Sequence, residues 1–164
     1  MCINAANIAR HPGRCNTARM QIDEALSDIP GMEDVRFGGH GGRLGIAYHA
    51  HGDDWCELTL PYQEDMIGDE ESGVIASGPI FALMDIATSL ATMRKLGRFV
   101  PHATLDLRVD YLRPAKPGST VIGHGECYAI KRSISFVRGQ AHDGDPNDPV
   151  AHVSGTFMFL GEGA

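Results

Sequence analysis

From Ser72 to Met93 the chain reads SGVIASGPIFALMDIATSLATM, and Asp85 is the sole charged residue in that run. Ile80, Leu83, Met84, Ala87, Leu90 and Ala91 recur at three- and four-residue spacing, which makes one broad apolar helix face. The pattern predicts a helix from about Gly78 to Leu96. Pro79 suits its first turn, where a missing N–H costs nothing. Arg94, Lys95 and Arg98 suit its negative end, and Gly97 its C-terminal cap.

Downstream the period changes from helical to alternating. Ala103–Leu112, Thr120–Ile130, Ser133–Ala141 and Val150–Leu160 read as strands separated by turn residues, and the last third as an antiparallel meander. Upstream, Arg43–His51 and Asp54–Leu60 flank a hairpin turn at His51-Gly52-Asp53. Residues 61–72 are acidic and turn-like. Residues 17–29 fit an amphipathic helix capped by Thr17 and ended by Pro30-Gly31, and residues 1–16 read as loosely ordered. Phe37–Gly42 reads as a flexible glycine-rich connection without phosphate-loop spacing. Two strands, one long helix and four strands predict an α+β domain with the helix packed across one antiparallel sheet.

Composition narrows the function. The 164 residues suit one domain, and a formal net charge of −7 disfavours nucleic-acid binding. The four cysteines show no CxxC pair or zinc spacing, and the N-terminal residues lack the apolar core of a signal peptide. Reduced thiols and a cytoplasmic location are expected. Gly78-Pro79 and Asp85 divide the apolar run too finely for a membrane span. His49 and His51, with Asp53 or Asp54 near, lack a third ligand at telling spacing, so no metal site is expected. There is no GxSxG. Trp55 and the phenylalanines are expected in the core.

A carboxylate inside an apolar helix is costly to bury unless it is paired or used. Asp85, Thr88, Ser89 and Thr92 form a second seam on the helix, free of lysine and glutamate. It is either exposed helix surface or a face turned to a pocket or another subunit. The N–H groups at Ser77 and Gly78 carry partial positive charge and can hold an oxyanion, or Ser77 is simply an N-cap. Asp85 lies about 10–12 Å along the axis from that tip. One helix does not bring both to one carbonyl carbon, whereas two antiparallel copies do. A catalytic reading therefore asks for a dimer.

The pattern from Gly73 through Asp85, together with ATLDLRVDYLRPAKPG (Ala103–Gly118), resembles the hot-dog-fold acyl-CoA thioesterases of the phenylacetate-pathway type. The likeness spans about residues 43–160. It implies a curved antiparallel sheet of five to six strands around one long helix, assembled as homodimers and dimers of dimers. It implies Asp85 as base or nucleophile, Ser77 as the amide that polarises the thioester carbonyl (with Gly78 beside it), and Thr104 as a hydroxyl that helps place water or acid. Lys131 and Arg132 match basic residues near the coenzyme A phosphates. Ala76 stands where the family has histidine, and Glu70 where it often has asparagine. Ala76, Glu70, Thr88 and Ser89 are the remaining candidate substrate contacts.

The expected activity is hydrolysis of acyl-CoA to a free acid and coenzyme A, with no cofactor beyond the coenzyme A of the substrate. The alternative is a non-catalytic protein of the same fold that binds acyl-CoA or an aromatic small molecule, supported by Ala76 and Glu70. Hydration or dehydration of an acyl thioester would want a histidine at the site, and the helix supplies none.

Overall fold

A computed structural model describes Ile29 and residues 38–160. The helix expected at 17–29 and the loose segment 1–16 lie outside the described residues, apart from Ile29, which is buried in the core.

The elements follow in the order α1 (Gly39–Arg43), β1 (Ala47–His51), β2 (Trp55–Leu60), a 3-10 turn (Glu64–Met66), β3 (Ile67–Asp69), β4 (Val74–Ile75), α2 (Ser77–Leu96), β5 (His102–Tyr111), β6 (Val121–Lys131), β7 (Ile134–His142) and β8 (Ala151–Phe159). Six strands form one sheet in the order β1-β2-β6-β7-β8-β5, and β3 pairs with β4 apart from it. All pairings are antiparallel.

Three expectations need correction. The meander holds for β6-β7-β8, but β5 pairs with β8 at the far edge of the sheet. The stretch from Leu112 to Thr120 holds Pro114 and Pro117 and carries the chain across rather than folding back as a tight hairpin. The glycine-rich segment is not all loop: α1 forms one helical turn over Gly39–Arg43, so the first strand starts at Ala47 rather than Arg43. Gly45 supplies the left-handed residue (φ 69°) between them. The acidic stretch at 61–72 holds the 3-10 turn and β3.

The helix sits in the sheet because the strand beneath it has almost no side chains there. On β6, Val121, Gly123, Gly125 and Cys127 face inward and are buried. A Cβ on Gly125 would stand 2.7 Å from the backbone carbonyl carbon of Ala87 and the nitrogen of Thr88. One on Gly123 would stand 2.8 Å from Leu83 Cγ. The helix thus rides on the bare β6 backbone, flanked by Leu58 and Leu60 of β2 and Val137 of β7, all fully buried. Each of the six apolar helix residues expected inside is buried. Trp55 instead lies on the outer face of the sheet, stacked on His124 with ring centroids 5.4 Å apart, and Phe81 is 43% exposed.

Candidate functional site

The helix and β5 run side by side in opposite directions. Ser89 meets His102, Asp85 meets Thr104, and the Ser77 carbonyl meets Tyr111. The Thr104 hydroxyl donates to Asp85 Oδ1 at 2.9 Å. Asp85 is half-buried, so its carboxylate keeps access to the surface while one lone pair is held. The other seam hydroxyls lie deeper. Thr88 donates back to the Met84 carbonyl at 2.7 Å. Thr92 donates to the Thr88 carbonyl at 3.2 Å and lies 3.1 Å from the Ser135 hydroxyl. Thr88 and Ser89 are thus buried hydroxyls engaged within the chain.

His102, expected only as a satisfied polar position on a strand, is satisfied, but its contact with the helix seam was not foreseen. Its Nδ1 lies 2.8 Å from the Val100 carbonyl and must carry the proton, since a carbonyl only accepts. Nε2 therefore accepts from the Ser89 hydroxyl at 2.8 Å. Burial holds its pKa below the usual imidazole value, against the opposing pull of the Val100 carbonyl and the Asp85 charge, so the ring is neutral near pH 7. The signal was available: Thr104 and His102 are two apart on a strand, and Asp85 and Ser89 four apart on a helix, so both pairs share a face.

The start of the helix carries no cap of its own. Ala76, not Ser77, occupies the N-cap position, no cap bond from a side chain is made there among the described residues, and the first turn holds no acid. Ala76 N–H donates to the Met66 carbonyl at 2.8 Å, which ties the helix tip to the β3–β4 hairpin. Gly68 of β3 lies against Ala76, where a Cβ would stand 2.9 Å from the Ala76 Cα. Ser77 and Gly78 are exposed, and a Cβ on Gly78 would meet nothing within 4 Å. Eight residues separate Ser77 from Asp85, about 12 Å along the axis. The two halves of the expected site therefore lie apart within one chain.

A cavity of about 350 Å³ opens beside the tip, lined by Val74, Ile75, Ser77, Ile80, Tyr111 and Leu112 among others. Tyr111 OH donates to the Ser77 carbonyl at 2.8 Å at its edge. Behind it, Arg113 makes a two-pronged bond to the fully buried Asp143 carboxylate, at 2.7 and 2.8 Å. Asp143 Oδ2 also accepts from the Lys116 amide. The Arg113 bond, aided by that amide, holds the Asp143 carboxyl well below the usual range. This pair locks the β5–β6 crossover to the β7–β8 loop.

The remaining candidates lie elsewhere. Lys131 and Arg132 sit exposed at the β6–β7 turn, roughly 15 Å from Thr104 across β8 and β7. Glu70 is exposed in the β3–β4 turn. His51 Nδ1 lies 2.8 Å from Tyr48 OH, and His49 sits 3.9 Å from Glu57. Cys56 and Cys127 are buried, and burial pushes the Cys56 thiol up to about 12, far from a nucleophile at neutral pH. Among the described residues no helix is long and apolar enough to cross a membrane.

The thioesterase superfamily pattern matches residues 72–150, the stretch that holds the helix tip, Asp85, Thr104 and Asp143. A protein of Pseudomonas aeruginosa of known structure is 38% identical, with a TM-score of 0.68 over 87% of this chain and 96% of that one. A thioesterase of Haemophilus influenzae is similar at 23% identity and a TM-score of 0.67, over 76% of this chain and 84% of that one. The PaaI protein of the E. coli phenylacetic acid degradation operon is similar at 17% identity and a TM-score of 0.65, over 74% and 83%. At these lower identities the likeness is one of fold. No curated protein matches the chain. With one long helix held in an antiparallel six-stranded sheet, the chain belongs to the thioesterase superfamily and has its hot-dog fold.

Proposed function

We propose that the protein is a cytoplasmic hydrolase that cleaves acyl-CoA thioesters, working as a homodimer that pairs further into a dimer of dimers. Membership of the thioesterase superfamily supports thioester hydrolysis in general. The observation that carries the finer reading is the Thr104–Asp85 bond, which aims a half-buried carboxylate at a surface. The uncapped helix tip lies too far along the same rod to act with it. A second copy set antiparallel brings its Ser77 and Gly78 amides to the first copy's Asp85.

In this arrangement the thioester carbonyl oxygen rests on the two amides. The Asp85 carboxylate takes a proton from water as the water oxygen bonds to the carbonyl carbon, or attacks that carbon itself. Negative charge builds on the carbonyl oxygen, where the amides stabilise it by about 3–4 kcal/mol each. The C–S bond then breaks: on the water route the thiolate of coenzyme A takes up the proton held by Asp85, and on direct attack the thiolate leaves an acyl–Asp85 anhydride, which water hydrolyses to the free acid while supplying the thiol proton. Thr104 holds the carboxylate in place. Lys131 and Arg132 offer charge to the coenzyme A phosphates. Every proton and charge is handled by side chains and backbone of the protein, with no metal or further cofactor.

Release of free thiol from a panel of acyl-CoA esters tests the activity, and Asp85→Asn should lower kcat by 100-fold or more. Mixing tests the shared site. Asp85→Asn and Gly78→Val proteins, each inactive, should regain roughly a quarter of wild-type activity when subunits exchange at equal ratio, because each mixed dimer holds one intact site. A fully active monomer, or mixed subunits that stay dead, sinks the two-copy site. Tight acyl-CoA binding without thiol release favours a binding protein.

A further inference from the structure

The Tyr111 hydroxyl donates to the Ser77 carbonyl at 2.8 Å. That carbonyl and the Gly78 N–H are the two ends of one peptide unit. A carbonyl oxygen has two lone pairs, and the helix ladder uses one of them. A donor on the second draws electron density toward the oxygen and leaves the N–H at the other end more positive. Chained hydrogen bonds strengthen one another in this way by about 10–30%. The backbone does not require glycine at position 78, since its φ is not left-handed, and a Cβ there would meet nothing within 4 Å. What glycine provides is an amide open to approach.

Tyr111 is mounted rigidly for this contact. It pairs with Ala151 at the end of β5, and the next amide, Leu112 N–H, donates to the Val150 carbonyl at 2.8 Å. Two residues on, Arg113 grips the buried Asp143 carboxylate. On the other side of the tip, Ala76 N–H is bound to the Met66 carbonyl. Ser77 therefore sits between two bonds from outside the helix. Partial burial raises the Tyr111 phenol above its usual pKa, so it remains a donor across the neutral range. Tyr111 is 44% exposed, and a second copy laid over the tip would shut out the water that competes for its hydroxyl.

We propose that Tyr111 is a positioning residue for the oxyanion donors: its hydroxyl fixes the plane of the Ser77–Gly78 peptide and strengthens the Gly78 amide. The inference rests on the two-copy thioesterase reading. One oxyanion donor is worth about 10²–10³ in kcat, so a change of about 10–30% in its strength is a factor of about two to eight.

Tyr111→Phe deletes only the hydroxyl and should lower kcat by about two- to eightfold in thiol release, with KM within about twofold. Placing 3-fluorotyrosine at position 111 gives a stronger donor of nearly the same shape, and kcat should rise above wild type at about pH 6, where the phenol is protonated. In mixed dimers of Asp85→Asn and Gly78→Val subunits, Tyr111→Phe should lower the regained activity only when carried on the Asp85→Asn chain, whose intact tip serves the shared site. A readout free of substrate is the Gly78 amide nitrogen in two-dimensional NMR, which should move upfield in Tyr111→Phe more than any other amide of α2. If no acyl-CoA turns over, the hydrolase reading falls, and the Gly78 shift alone decides the polarisation. If thioesters turn over with equal kcat in the phenylalanine, tyrosine and fluorotyrosine proteins, the role of Tyr111 falls alone. An unmoved Gly78 nitrogen overturns it as well. So do equal losses from either chain of the mixed dimer, or a loss of kcat matched by a lower urea midpoint, because the hydroxyl would then serve only the fold.

Discussion

Gly125→Ala tests whether the helix rests on strand backbone. With no contact in the way, the change should stabilise the strand, because glycine there is costlier than alanine by roughly 0.5–1 kcal/mol. The structure reverses the sign. The added Cβ would stand 2.7 Å from the Ala87 carbonyl carbon and the Thr88 nitrogen, and 2.8 Å from the Ala87 oxygen, where ordinary contact starts at 3.4 Å. Helix and strand must part by about 0.7 Å, and backbone has no rotamer with which to yield. Overpacking of this kind costs about 1–3 kcal/mol, and the rigid neighbour puts Gly125→Ala at the upper end. For a chain of this size about 3 kcal/mol lowers Tm by roughly 6–12 °C. The same shift moves Asp85 against Thr104, so kcat should fall more than tenfold in protein that is still folded at 20 °C. Urea denaturation with an unchanged slope, together with thiol release, measures both. A Gly125→Ala protein as stable as wild type, or more so, refutes the packing, and with it the placement of Asp85.

Two further outcomes follow from single contacts. Thr104→Val removes a hydroxyl bonded to a carboxylate, worth about 1.5–3 kcal/mol, so kcat should drop roughly 10- to 100-fold while Thr104→Ser stays near wild type in thiol release. Asp143→Ala should cost roughly 2–4 kcal/mol in denaturant melts, because it strips the half-buried Arg113 of its two-pronged partner. The folded Asp143 carboxyl, held down by Arg113, binds a proton less readily than the unfolded one. Its stabilisation is therefore complete above about pH 4 and drains as pH falls below it. A pH series should show wild-type stability converging on that of Asp143→Asn in acid, and parallel curves would contradict the assignment.

Local pattern reached the helix and most strands because each is decided by neighbours a few residues away. Ser77–Leu96 follows from its spacing of apolar residues and from Gly97, which takes the left-handed φ of 63°. Pairing was less legible. Whether β5 lies beside β6 or β8 depends on the path of residues 112–120, and the lock on that path joins Arg113 to Asp143, thirty residues apart. Helix α1 was hidden because glycine-rich sequence has almost no helical propensity. Its end is closed locally by Ile46 N–H on the Gly41 carbonyl and tied to a distant segment by the Gln63 amide on the Leu44 carbonyl. The bond between His102 and Ser89 was less legible, because it joins a strand to a helix.

The division of the site also accounts for where apolar surface is left uncovered. A helix that served only the core would show solvent a polar stripe. Here Phe81, four residues after Ser77 and four before Asp85, is 43% exposed. Position i+4 on a helix shares a face with position i, so Phe81 lies on the line that joins the uncapped tip to the acid. That line carries a bare helix end, a large ring and a carboxylate with one internal partner, and none of these is at its lowest free energy facing water alone. A second copy laid antiparallel over the same line would cover the ring, bring each tip to the opposite acid and close off water from both. One surface then serves assembly and chemistry together, so Phe81→Ser should weaken the dimer and the activity in step, as followed by sedimentation and thiol release. Activity that survives in dissociated subunits would break that link.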